Sequence, residues 1–132
     1  MSAGTGGPIP DDVRRFVVEY IDSVPALEAL LLMRKSPCRR WTAAMLAAEL
    51  YMEPQHVKPI LADLSGRGLC GTEEGVDAVY FWRPATPALD EALGRLADVY
   101  ARYLVPVTNL IHSKPRPSVR QFSDAFRLRG NE

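Results

Sequence analysis

Gln55, His56, Lys58 and Arg67 lie along one stretch, EPQHVKPILADLSGRG. Val57, Ile60, Leu61 and Leu64 recur there at helical spacing and mark an inner face. Glutamine can place two hydrogen bonds on adenine, and arginine can place two on guanine. Lysine and arginine also neutralise phosphate oxygens, and Arg39 and Arg40 in the run MRKSPCRR add cations of that kind. Together the six residues form a candidate double-stranded DNA surface. Pro59 sits among them, and its ring clashes with the carbonyl four residues earlier, at Gln55, in a continuous helix. The sequence therefore predicts a helix that begins near Lys58 or is kinked there, with a shortened outer face.

Other chemistry finds less support. His56 and His112 have no companion cysteines or carboxylates at ligand spacing, so no metal is expected. No glycine-serine elbow, phosphate loop or helical His-Glu-x-x-His pattern occurs, so neither catalysis nor a cofactor is expected. Cys38 and Cys70 are too few for a disulfide scaffold. A redox pair would need both thiols within bonding distance and one of them reactive, and buried or incidental thiols are the simpler reading.

The block from Trp41 to Pro84 must position the six polar residues. It opens with a short strand at Trp41, a Thr42 cap and a helix with Leu46, Ala47 and Leu50 inside. A turn at Glu53-Pro54, the Val57–Leu64 helix, Gly66 and Gly68, and two strands about a glycine turn follow. That order is a winged helix-turn-helix: a mainly α fold with a small antiparallel sheet. The hairpin tip, Gly71-Thr72-Glu73-Glu74-Gly75, is acidic and would repel phosphates, so backbone contacts are expected from residues 34–40 and the tail. Val76 to Arg83 alternates with the period of a two-faced strand. Trp41, Tyr80, Phe81 and Trp82 are expected to pack on the sheet, with room for a ligand pocket between the sheet and the long helix as a further possibility.

Residues 1–10, rich in glycine and proline, are expected to be disordered, and 11–111 to form the winged domain with its flanking helices. Asp11-Asp12 opens a helix with Val13, Phe16, Val17, Tyr20 and Ile21 on one stripe. A second helix, Pro25 to Met33, is apolar almost all round. Thr86-Pro87 starts a long helix whose Leu89, Leu93, Leu96, Tyr100, Tyr103, Val107 and Leu110 recur at spacings of four and three. That seam predicts homodimerisation, with a bend or break near Leu104 forced by Pro106. Residues 112–132 read as a basic tail with a short helix bearing Phe122, Ala125 and Phe126.

Over 132 residues, 16 basic and 16 acidic side chains cancel, which weighs against avid phosphate binding and leaves charge placement to decide. No apolar run reaches the roughly 18 residues of a membrane span, and the first ten residues do not read as a signal peptide. A cytoplasmic protein is expected.

The end of the chain, NLIHSKPRPSVRQFSDAFRLR, resembles a C-terminal signature of small bacterial winged helix-turn-helix proteins, with Ser123 where alanine is expected. The order of an N-terminal helix, winged block and long C-terminal helix is loosely similar to MarR- and PadR-type regulators, in which the last helix builds a dimer. The resemblance implies a fold and carries no catalytic residue or ligand. The expected function is a dimeric, DNA-binding transcriptional regulator. The alternative is an adaptor without a DNA role that holds a protein partner through the acidic wing or the C-terminal tail.

Overall fold

The computed structural model describes residues 8–114. Residues 1–7 and 115–132, including the Phe122/Phe126 helix, lie outside the described residues. Two helices come first: α1 spans Asp11–Tyr20 and α2 spans Val24–Lys35. The winged block follows as β1 (Trp41–Thr42), α3 (Ala43–Leu50), α4 (Pro54–Gly66), β2 (Gly71–Glu73) and β3 (Val79–Phe81). Helices α5 (Pro87–Arg102) and α6 (Leu104–Ser113) close the chain.

Local chemistry explains the helix starts. Ser23 Oγ, Thr42 Oγ1 and Thr86 Oγ1 accept from the backbone N–H groups of Ala26, Met45 and Leu89 at 3.1–3.2 Å, which satisfies donors that a first turn leaves free. Helix α4 ends where Gly68 takes a left-handed φ of 81°. There Gly68 N–H donates to Ser65 O and Leu69 N–H to Leu64 O, and a β-carbon at 68 would approach Ala85 Cβ to 3.0 Å.

The three strands run in the order β1-β3-β2, both pairs antiparallel. Trp41 faces Tyr80, and Gly71 faces Phe81. The expected Val76–Arg83 strand is shorter than its alternation implies. Pairing covers Val79–Phe81, and Val76 stands fully exposed at the hairpin tip, because β2 offers a partner over three residues.

The core is continuous. It joins Val13, Phe16, Val17 and Ile21 of the first segment to Leu27, Leu30 and Met33 of α2 and to Leu46, Val57, Leu61 and Leu64 of the block. Trp41 and Tyr80 are buried in it, with Phe81 and Trp82 half-buried. Ile9, expected in a disordered arm, is buried too.

The long C-terminal helix breaks at Tyr103. Pro106 thereby falls in the first turn of α6, where a missing N–H costs nothing. The heptad seam is spent inside the chain. Leu93, Leu96 and Val107 are sealed in the monomer core, and Tyr100 is buried with its Oη 2.5 Å from Glu28 Oε2. Leu110 packs half-buried against the same core, and Tyr103 is exposed. The seam's spacing predicts that these residues face a second copy. Leu93, Leu96, Tyr100, Val107 and Leu110 pack within the chain instead, where α5 and α6 lie against α1 and Tyr100 reaches Glu28 of α2, and Tyr103 stays exposed.

Candidate nucleic-acid interface

Helix α4 runs unbroken from Pro54 to Gly66 with Pro59 inside it, so the expected later start near Lys58 does not occur. Proline lacks the N–H that would bond Gln55 O, and the helix loses that one bond while Val57, Leu61 and Leu64 hold it to the core. The outer face carries Gln55, His56, Lys58, Pro59, Ala62, Asp63 and Gly66. Beyond Lys58 these side chains are short or acidic. Polar reach is therefore concentrated in the first turns, the part of a reading helix that contacts base edges.

Arg67 does not join them. From the far end of α4 its guanidinium donates to Glu19 O and Tyr20 O and pairs with Asp22 at 2.8 Å and Asp63 at 3.0 Å. It caps the C-terminal end of α1, where carbonyl oxygens concentrate negative potential. The expectation that Arg67 reads bases is corrected on that ground. Lys114 serves the same end from the other side, with Nζ donating to Val17 O, Ile21 O and Asp22 Oδ1 at 2.7–3.1 Å and its side chain 5% exposed. Lys114 belongs to the HSKP stretch, so that part of the C-terminal signature has a structural role. Sequence spacing assigns it to the basic tail and gives no hint of the contact.

Arg39 and Arg40 sit on the sheet. The Arg39 guanidinium lies 4.1 Å from the Trp41 ring centroid, and that of Arg40 lies 4.6 Å from the Phe81 centroid, a cation–π arrangement. Arg40 also pairs with Glu73 of β2. Gly71 makes this possible, since a β-carbon there would run into the Phe81 ring. The arginines are thus pre-positioned, while the wing carboxylate lowers the charge that Arg40 presents.

An open cleft of about 520 Å³ lies beside Lys58. Thr42, Ala43 and Ala44 form one side and Pro54, Lys58 and Ala62 another, with the hairpin tip 75–78 and Tyr80 as the outer wall. It lies against α4, away from the expected site at the junction of sheet and long helix.

Both cysteines are free. Cys38 is exposed, whereas Cys70 is buried and its thiol is pushed from 9.0 up to about 12 by that burial. Burial, followed by its bond to Glu28, also lifts the Tyr100 phenol to about 12. Neither group ionises near neutrality. Among the described residues, no group of three or more histidine, cysteine or carboxylate side chains could hold a metal ion, and no helix is long and apolar enough to cross a membrane.

No protein-family model matches the sequence, and no curated protein matches it at a significant level. Solved structures do match in fold. A MarR-family transcriptional regulator from Rhodococcus sp. RHA1 aligns over 96% of this chain and 86% of its own, at 19% identity and a TM-score of 0.51. CouR from Rhodococcus jostii RHA1, solved with p-coumaroyl-CoA, aligns over the same shares at 19% identity and 0.50. A cysteine-to-serine mutant of MarR from E. coli aligns over 87% of this chain and 82% of its own, at 9% identity and 0.51. The chain has the winged-helix fold of MarR-family regulators, and the likeness at these identities is one of fold.

Proposed function

We propose that the protein is a DNA-binding transcriptional regulator that acts as a homodimer. The observation that carries this reading is the N-terminal end of α4. Gln55, His56 and Lys58 are exposed together at the start of the second helix of a winged helix-turn-helix, the position from which such helices reach base edges in the major groove. Gln55 is the candidate base reader, Lys58 a groove or phosphate contact, and Arg39 and Arg40 are phosphate contacts beside β1. The acidic tip, Glu73 and Glu74, takes no part in holding phosphate.

A dimer would set two such helices about 34 Å apart, one DNA turn. With the rest of the heptad seam buried, its contact surface is the apolar joint between α5 and α6, which keeps Tyr103 of that seam. Tyr103, Leu104 and Val105 are 38%, 53% and 63% exposed there, next to one another.

Titrating the full chain into a labelled random-sequence duplex across a range of salt concentrations tests the reading. Binding that weakens steeply as salt rises is expected, because phosphate contacts release counterions. No binding at low salt, where those contacts are strongest, would refute it.

A further inference from the structure

Tyr51 closes α3 in the left-handed region, with φ 58° and ψ 45°. Among the described residues it is the one non-glycine residue with a positive φ. The conformation itself is needed: Tyr51 N–H reaches Ala47 O and Ala48 O, and Met52 N–H bonds Ala47 O at 2.9 Å, which terminates the helix and turns the chain into α4. Glycine or asparagine meets that need without crowding a β-carbon. The tyrosine ring does not repay the strain by packing, since the residue is 97% exposed. Neither the local backbone nor the core accounts for an aromatic side chain here. Unexplained strain of this kind concentrates at functional surfaces.

Its position supplies the explanation. Tyr51 lies in the α3–α4 turn, four residues before Gln55 and seven before Lys58. We propose that Tyr51 is a further DNA-contacting residue, whose ring leans on the sugar-phosphate backbone flanking the groove and whose Oη donates to a phosphate oxygen. An uncharged donor suits this place. Glu49 and Glu53 are exposed on either side of it and repel phosphate as the wing carboxylates do, so the contact is confined to the one neutral hydroxyl. The inference rests on the DNA-binding reading above.

Full-length Tyr51→Gly and Tyr51→Phe test it, with melting temperature and low-salt duplex affinity both measured. Glycine relieves the left-handed strain, so Tyr51→Gly raises Tm while weakening duplex binding roughly tenfold, the loss of about one charge-assisted hydrogen bond. Tyr51→Phe leaves Tm unchanged and loses most of the same affinity. If the wild-type chain binds duplex and Tyr51→Gly binds equally tightly, the inference is overturned. A lower Tm for Tyr51→Gly overturns the strain argument, and wild-type affinity in Tyr51→Phe overturns the hydroxyl contact. A wild-type chain that binds no duplex at all removes the underlying reading instead, and Tyr51 with it.

Discussion

Asp22 receives two cations from distant parts of the chain, Arg67 at 2.8 Å and Lys114 at 3.1 Å. Both cations also take carbonyl oxygens from the end of α1, and Asp63 adds a second carboxylate to Arg67, so Asp22 is the carboxylate shared by a cluster that ties α1 to the end of α4 and the end of α6. Neutralising it leaves a lysine side chain that is 5% exposed without its counter-charge. Asp22→Asn should therefore lower unfolding free energy by about 2 kcal/mol, somewhat below the usual cost of breaking a fully buried pair because Asp22 and Arg67 retain some solvent. Urea denaturation measures this, and an unchanged midpoint would show that the cluster does not hold α1. Residue types point to Arg67 as a base reader because long-range capping leaves no mark in local spacing. Arg39 and Arg40 are legible as cations, but the Phe81 and Glu73 contacts that seat Arg40 depend on the register of β2 on β3.

Helix α4 carries Pro59 in its interior at the expense of one backbone hydrogen bond, and Val57, Leu61 and Leu64 compensate by burial. Pro59→Ala restores the N–H and removes the ring, and should raise stability by about 1–3 kcal/mol. Equilibrium unfolding reads this directly, and a destabilised variant would mean that the exposed ring contributes packing after all. Most elements are readable because their signals are local. Thr42 and Thr86 cap as their types imply, Gly68 ends α4, and Pro106 coincides with the break at Tyr103. The late start expected of α4 does not occur because a proline penalty of a few kcal/mol is smaller than the burial that opposes it. The length of β3 is overstated by its pattern because alternation records which face a residue prefers. Whether a partner strand runs alongside is a separate matter.

At the scale of the molecule, the same α5–α6 pattern that reads as a dimer seam turns out to close the monomer's own core. Leu93, Leu96 and Val107 cannot serve two surfaces. A heptad repeat states that a helix has an apolar stripe, and it leaves open whether the chain or its copy covers that stripe. The proposed dimer would then use Tyr103, Leu104 and Val105. Leu104→Glu should convert a dimer to monomers in light scattering while the far-UV spectrum stays native. Persistence of the dimer would move the interface elsewhere. Whether the N-terminal end of α4 meets DNA is read out by the salt dependence of duplex binding by the wild-type chain and by Lys58→Ala. If Lys58 neutralises a phosphate, the slope of log K against log salt becomes shallower by about 0.9 in the variant. Equal slopes for the two proteins would rule out a phosphate contact by Lys58, and no salt-dependent binding by either would rule out DNA binding through α4.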